Sequence, residues 1–580
     1  MDIYLPIAHM SINVFFLIGL GGLVGFLSGL FGVGGGFLLT PLLIFAGIPP
    51  MVAAASDSNQ IVAAASSGAY THSRMGNVDF KMGIVLLLGG ITGGSVGVQI
   101  IKMLAALGEV DFVIKLVYVV ILGVIGSFMF IESLNALRGR KDVREYTAPS
   151  EPKESGLRKL AMKLPWQVNF DKSRLTTSVI FPFFLGTFVG ILAAIMGVGG
   201  GFIMVPAMIY ILGMPTIVAI GTDLFQIVLT CINVTIQQAI RNHTVDLILV
   251  VVLFFGSSVG AQVGARVGKR LRGEQLRILL AIIVLLVMIK MLYDLLVTPG
   301  NPYQPRRWRR RPLMRLAILG SILAALLVTA AGSAMAAAAE SDGAPVLKIE
   351  PRVLGGSLFS RHYQTVVITG TCPEKCEVVV KVISPTGDFK LNKAGKSLGF
   401  VWVPSGHAEV TEIPVMYAVL CSAKISSILS PAEQERAGLC PDFRGVYQQA
   451  KIRFEKDMPR DERTALHKEY VAGLIKIFME EGLYQYREGA VKMDSRTFTA
   501  RLVYPANAPP GDYKIFCYVI EAGRARLLCQ DKLLVKSSRE VEWLSYYAHA
   551  KPAIYGIFSA LVAVAVGLLV GIVLGRRTGR

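Results

Sequence analysis

The sequence predicts a mainly α, polytopic membrane protein built from two repeated four-helix halves, followed by an exported β-sandwich-like domain with a helical insert and a C-terminal membrane anchor. Three observations carry this fold class. Of 580 residues, 53% are hydrophobic and only 17% charged, and the mean hydropathy is +0.55; that is the balance of a membrane protein with a polar appendage, not of one soluble globule. The word Gly32-Val33-Gly34-Gly35-Gly36-Phe37, with Pro41 behind it, returns as Gly197-Val198-Gly199-Gly200-Gly201-Phe202 with Pro206, and an internal repeat is read before anything else. Six cysteines, Cys372, Cys376, Cys421, Cys440, Cys517 and Cys529, lie beyond residue 340, with only Cys231 before it. Such a distribution assigns the C-terminal part to a disulfide-permissive compartment without fixing the pairing.

Residues 1–135 form the first repeat. A bilayer core takes roughly 20 apolar residues per helix, so the apolar stretch 12–47 is too long for one span and reads as a helix broken near residues 32–36. Glycine-rich backbone at that depth must face protein or water, because lipid cannot satisfy its polar groups. Spans follow at about 51–71, 82–101 and 112–132. The second repeat, 178–297, offers 178–212, 216–236, 247–265 and 277–296. The copies stay in step beyond the glycines: Ser56-Asp57-Ser58-Asn59-Gln60-Ile61-Val62 answers Thr222-Asp223-Leu224-Phe225-Gln226-Ile227-Val228, and Val78-Asp79 answers Val245-Asp246.

Residues 136–177 are a linker rich in Arg138, Arg140, Lys141, Arg144, Lys153, Arg158, Lys159 and Lys163, cytoplasmic by the positive-inside rule. An even number of spans per half then puts the N-terminus and 297–313 in the cytoplasm as well and makes the halves parallel. The loop carrying Arg266, Lys269, Arg270, Arg272 and Arg277 falls outside on this count; either a broken helix is re-entrant and shifts the count, or a short loop escapes the rule. The net charge of +19 gathers in such runs beside apolar segments, which excludes nucleic acid as the partner.

Residues 298–340 combine the basic run Arg306-Arg307-Trp308-Arg309-Arg310-Arg311 with Met314-Arg315, an apolar stretch from Leu316 to Ala331, and Ala334-Met335-Ala336. The segment reads as a ninth transmembrane helix or as the signal peptide of a second protein joined in mid-chain, cut after Ala336. Both readings export residues 341–550. There, Thr365 to Thr369, Glu377 to Val382, Thr497 to Val503 and Tyr513 to Val519 alternate as half-buried strands, and Ala508-Pro509-Pro510-Gly511-Asp512 is the turn between the last two. Ser430-Pro431 opens a helical insert with a second helix near 460–481. Residues 551–580 are the anchor, ending in Arg576-Arg577.

Asp57 with Gln60, and Asp223 with Gln226, stand at i and i+3 and so share a helical face. Ionisable residues inside a membrane usually line a pathway; Ser56, Thr222 and the aspartates equally suit caps of helices that begin at Pro49-Pro50 and Pro215. Successive backbone N–H groups of Gly32, Gly34, Gly35 and Gly36, and of Gly197, Gly199, Gly200 and Gly201, would make a nest for an anion, with close helix packing as the alternative use of those glycines. His72, Arg74, Arg241 and His243 stand in the short loops after these helices. Cys372 and Cys376 read as a structural disulfide. No nucleotide loop, zinc grouping or nucleophile elbow is present in the sequence, so neither catalysis nor a cofactor or metal is expected.

The doubled GVGGGF with its proline, the polar helix start after a proline turn, and Asn77-Val78-Asp79-Phe80 together resemble the sulfite exporter TauE/SafE family of permeases over residues 12–296. The resemblance implies movement of sulfite or a small organosulfonate across the inner membrane, coupled to protons. Gly32 to Gly36 and Gly197 to Gly201 would then be backbone donors, Ser56, Gln60, Thr222 and Gln226 polar lining, and Asp57 and Asp223 proton carriers. The family often shows Gly-Thr-Ser where this chain has Ser56-Asp57-Ser58 and Thr222-Asp223-Leu224. Phe498, the turn Ala508 to Tyr513 and Ala553-Ile554-Tyr555-Gly556 make residues 345–575 similar to a family of alphaproteobacterial transmembrane proteins, which implies a periplasmic domain with one anchor. The partners expected are a sulfur oxyanion or sulfonate, protons, the lipid bilayer, and a periplasmic protein or a second copy of the chain. Two other readings stand beside this one: a cation permease using the aspartates as ligands, and a membrane-anchored assembly protein.

Overall fold

The computed structural model describes residues 2–31, 35–137, 165–173, 175–268, 273–297, 303–306, 347–355, 359–360, 363–373, 376–397, 401–454, 459–505 and 507–575. Gly32, Gly34, most of the basic linker, the signal-anchor segment 314–336 and Arg576-Arg577 lie outside the described residues. The chain divides into a helical unit, Met1–Val297 with Arg539–Arg580, and a strand-rich unit covering most of 298–538.

In the helical unit a β-hairpin, Asp2–Leu5 with Met10–Asn13, precedes α1 (Val14–Phe31), α2 (Gly36–Phe45), α3 (Pro50–Arg74), α4 (Phe80–Leu107) and α5 (Val110–Leu137). A second hairpin, Gln167–Phe170 with Leu175–Ser178, precedes α6 (Ile180–Met196), α7 (Gly201–Pro206, continued by a π turn over Ala207–Leu212), α8 (Thr216–Asn242), α9 (Leu247–Gly268) and α10 (Gly273–Leu296). After the strand-rich unit come α11 (Arg539–Ala550) and α12 (Pro552–Gly575). Among the described residues six helices, α4, α5, α8, α9, α10 and α12, are long and apolar enough to cross a bilayer. The 25-residue α3 is also long enough; its polar residues, buried from Ser56 through Gln60, keep its hydropathy low.

Local chemistry sets the boundaries. Pro50 is the first residue of α3 and Pro215 the N-cap of α8, where a missing N–H costs nothing. Asp79 caps α4 by accepting from the Met82 amide at 3.1 Å. Between α6 and α7 the break is made by Gly197 and Gly200, with φ of 79° and 85°, a conformation open to glycine.

Helix directions follow from where backbones touch. A Cβ at Gly21, Gly25 or Gly29 would lie within 2.5 Å of the carbonyl oxygens of Leu253, Ser257 and Ala261, so α1 and α9 run parallel through small residues. Gly89, Gly93 and Gly97 meet Phe183, Thr187 and Ile191 in the same sense, making α4 parallel to α6. Gly68 lies against Leu224, and Gly221 against His72 and Asn77, so α3 is antiparallel to α8. The starts of α1, α9 and α3 and the end of α8 therefore share one face of the helical unit. Only four residues separate α2 from α3, and Gly47 approaches Met10 of the first hairpin; α1 enters and α2 returns to the same face. By the same reasoning α6 and α7 enter and return at the opposite face, where Phe170 shares a core with Met208, Leu212 and Met214. Each set thus crosses three times, not four. The sequence count took each broken helix as a full crossing; the glycine breaks turn the chain back.

The strand-rich unit contains a six-stranded sheet in which Glu377–Ile383 pairs on one side with Tyr417–Cys421 and on the other with Gly511–Glu521. Two four-stranded sheets are made of strands that interleave with these in the chain. Each of the four strands read from alternation is present, and Thr497–Pro505 pairs with Tyr363–Thr371. The insert includes Pro431–Ala437, whose N-cap Ser430 accepts from Glu433, and a long helix over Arg460–Glu480. One continuous apolar core includes Val378, Val380, Leu420, Leu474, Leu502 and Ile515.

Candidate functional site

The two glycine breaks meet in the middle of the helical unit. Phe37 and Phe202, each following its last glycine, stack at 5.4 Å between centroids. A methyl group at Gly36 would lie 2.5 Å from Ile61 Cδ1 and 3.4 Å from the Val198 carbonyl oxygen, and one at Gly199 would lie 2.7 Å from Ile227 Cδ1 and 3.1 Å from Ile61 Cγ2. Gly35 and Gly200 face Val24 and Val189 in equivalent ways, and Gly197 touches the Ala54 backbone. In the first turns of α2 and α7 the amides of Leu38 and Leu39 donate to the Gly35 carbonyl and those of Ile203 and Met204 to the Gly200 carbonyl, so the amides left to a guest are those of the first two residues of each helix.

The carboxylates of α3 and α8 sit behind this contact. Asp57 is fully buried; its Oδ2 accepts from Thr40 Oγ1 at 2.7 Å, while Oδ1 has no partner. Asp223 is buried with Oδ1 likewise unpartnered, and its Oδ2 lies 2.7 Å from where a Cβ on Gly201 would stand. Asp57 thus lies against α2 and Asp223 against the start of α7. Asn59, fully buried, has neither amide atom partnered. Gln60 donates to Ser257 Oγ at 2.9 Å, and Gln226 donates to Thr230 Oγ1 at 2.8 Å while its own oxygen is free of partners. Buried polar atoms are nearly always paired. Asp57 and Asp223, each with an unpaired oxygen beside one of two touching helix breaks, therefore mark a place for a guest, whether a proton, an ion or a polar molecule.

Ser56 and Thr222 do something different. Ser56 Oγ accepts from the Asp246 amide and Thr222 Oγ1 from the Asp79 amide, both at 3.0 Å. Asp246 in turn accepts from the amides of Leu249 and Ile7, and Asp79 from Met82 and from the amide and hydroxyl of Ser173. Each aspartate of the Val-Asp pairs thus caps its own helix, holds a hydroxyl of the other set, and pins the turn of one hairpin. His72 and Arg74 are in the last turn of α3 and Arg241 in the last turn of α8; His243 Nδ1 is 2.9 Å from the Ala548 carbonyl oxygen.

Sequence reasoning did not single out Thr40, Asn59, Thr230 or Ser257. Thr40 was the most findable, as the only hydroxyl in the first glycine word's helix, at the position where the second word has Val205.

Residues 17–291 match the family described as Sulfite exporter TauE/SafE, and residues 363–576 the transmembrane-protein family Alph_Pro_TM. A "Probable membrane transporter protein" of Xylella fastidiosa strain Temecula1 is 30% identical over 212 residues, 36% of this chain and 68% of that protein. Its counterpart in strain 9a5c is 29% identical over 245 residues, 42% and 80% of the two chains. The "Probable membrane transporter protein YunE" of Bacillus subtilis is 23% identical over 286 residues, 48% and 97%. No solved structure matches the chain.

Proposed function

The chain belongs to the sulfite exporter TauE/SafE family through residues 17–291, and on that premise we propose that it is a proton-coupled inner-membrane permease for sulfite or a related small organosulfur anion, with a periplasmic accessory domain. It is a multi-pass bacterial membrane protein of a transporter family; substrate and coupling are our reading. The observation that carries it is that Asp57 and Asp223 each keep an unpartnered buried oxygen beside one of two touching broken helices. Discontinuous helices whose N-terminal amides face a common centre suit an anion, and a carboxyl beside them needs a proton before an anion can approach. Gly35, Gly36, Gly199, Gly200 and Gly201 would offer the donors, Gln60, Gln226 and Asn59 the polar lining, and the two aspartates the protons. Ser56 and Thr222 would hold the frame.

Three crossings per set make the halves inverted, the arrangement that lets a central site open alternately to either side. This topology also gathers the linker after α5, the loop with Arg266 and the C-terminus on one face, as the positive-inside rule asks; the basic run Arg306 to Arg311, which follows α10, is the exception, and the expected cytoplasmic place of residues 297–313 does not fit this topology. The face where α10 ends and α11 begins is then periplasmic, in keeping with export of the strand-rich unit and its six cysteines.

The test is uptake into proteoliposomes carrying the full chain, comparing sulfite, sulfate, a small sulfonate and a divalent cation with and without a pH gradient. Gradient-dependent flux of a sulfur oxyanion is expected. Flux of the cation alone would overturn the anion reading in favour of carboxylate ligation, and no flux of any solute would favour an assembly role.

A further inference from the structure

The C-terminal helix α12, which matches a different family from the permease part, does not stand apart from it. A methyl group at Gly567 would lie 2.1 Å from the Ala63 carbonyl oxygen of α3, and one at Gly556 2.9 Å from Ala239 Cβ and 3.1 Å from Ile236 Cα of α8. Between these close approaches Ala560 and Ala563 are buried, so positions 556, 560, 563 and 567 form one small-residue face on a helical period. Ala563 shares a core with Ile61, Val62, Ala63 and Ala65 of α3 and with Ile227 and Cys231 of α8, extended by Val564, Val566 and Val570. At its start, Tyr555 Oη donates to the Val245 carbonyl and accepts from the Leu247 amide, both at 3.2 Å, bracketing Asp246. The preceding α11 is held by the stacked rings of His243 and His549, 5.7 Å apart and 10° from parallel. The outward residues Leu561 and Leu569 are 62% and 63% exposed.

A tether needs none of this; apolar length alone anchors a domain. α3 has the opposite need, because its polar residues make it a poor helix to leave against lipid. We propose that the seam between α3 and α8 is a docking groove for a single small-faced transmembrane helix, and that α12 is seated there as an integral part of the transporter core, mechanically joined to the two helices that carry Asp57 and Asp223. A shift of α12 along the seam would then be felt at Ile61 and Ile227, the residues wedged against the glycine breaks. The chain leaving the strand-rich unit would thereby have a direct hold on the centre of the permease.

The docking can be tested without any knowledge of the substrate. A protease site placed between residues 307 and 346 of the full chain is cut in purified, detergent-solubilised protein, and the fragments are resolved by size exclusion. We expect the C-terminal fragment to co-elute with the permease fragment, Gly567→Leu to release it, and Leu569→Trp on the outward face to leave it bound. Separation of the wild-type fragments on cutting overturns the proposal. So does co-elution of the Gly567→Leu fragment to the wild-type extent, since other contacts would then be doing the holding. Should that variant fail to accumulate, Tyr555→Phe, which deletes only the hydroxyl at the α9 cap, is expected to shorten the lifetime of the cut complex; an unchanged lifetime counts against the seat.

Discussion

Phe37 and Phe202 lie face to face with ring centroids 5.4 Å apart and planes 28° from parallel. They hold the same place in the two glycine words, so the contact joins equivalent points of the two re-entrant helices at their tips. Both rings are buried in one core with Leu38, Met196 and Val198. Phe202→Ala should leave a cavity at this junction and cost about 3 kcal/mol, whereas Phe202→Leu should cost less than half as much. Thermal unfolding of the purified protein checks the ratio. If the stack also seals the central site, the alanine variant will leak solute down its gradient, and the leucine variant will not.

Asp57 and Asp223 are equivalent in sequence but not in surroundings. Thr40 donates to Asp57 at 2.7 Å, and the corresponding residue for Asp223 is Val205. Thr40→Val should therefore act on Asp57 alone, stripping a buried acceptor of its donor at a cost of about 1–3 kcal/mol. In the proposed cycle Asp57→Asn combined with Asp223→Asn abolishes the response of flux to an imposed pH gradient. Unchanged proton-coupled flux in that double variant removes the aspartates from the coupling role.

Ser56 and Thr222 separate a structural from a substrate-lining role. Each hydroxyl accepts a backbone amide from the opposite set at 3.0 Å, so Ser56→Ala and Thr222→Val should each cost about 1 kcal/mol of stability. Transport by either variant should keep its KM, measured at a temperature well below the melting point. A KM raised severalfold with unaltered melting would make them lining residues after all.

Much of this architecture was legible because apolar length and the doubled glycine words are long-range signals that local context cannot disguise. The break near residues 32–36, the spans on either side and the strands flanking the Ala508 to Asp512 turn all follow from periodicity. The direction of α2 was not legible. Whether a ten-residue apolar helix after a break goes on or turns back depends on what it packs against, here Ile61 and Phe202 from elsewhere in the chain. The two hairpins were missed for a related reason: four-residue strands carry too little pattern, and their turns are fixed from a distance by Asp246 and Asp79. Likewise, Ser56 and Thr222 each have a local capping explanation that a single helix cannot distinguish from a contact across the repeat.

In the strand-rich unit Cys517 and Cys529 are direct partners across the Gly511–Glu521 and Arg524–Lys536 strands, with their side chains in hydrogen-bonding contact. Cys372 and Cys376 stand near one another at the end of the Tyr363–Thr371 strand, with Cys376 Sγ donating to the Pro373 carbonyl at 3.0 Å. All four thiols are free in the structure. In an oxidising compartment both pairs should close, leaving Cys421 and Cys440 as thiols. Non-reducing peptide mapping of protein from membranes should recover 517–529 and 372–376 as linked peptides; links involving Cys421 or Cys440 would contradict this pairing.

Lys381 gives the strand-rich unit a pH dependence whose sign can be worked out. It is only 8% exposed, and burial pushes its ammonium down to about 8, although Nζ donates to the Ala437 carbonyl at 2.7 Å and faces the rings of Phe516 and Tyr518 at 5.4 and 5.2 Å. An unfolded chain holds that proton up to the ordinary lysine value of about 10.4. Between those two pH values the unfolded state binds more protons than the folded one, so stability rises with pH across the window. The penalty is present in full below about pH 8 and amounts to roughly 3 kcal/mol on this shift. Lys381→Met keeps the stem's apolar packing and loses the charge, and should therefore melt higher than wild type at pH 7, with the difference shrinking toward pH 10. A difference that stays constant over that range would mean that Lys381 does not titrate there and that its hydrogen bond and ring contacts outweigh the cost of burial.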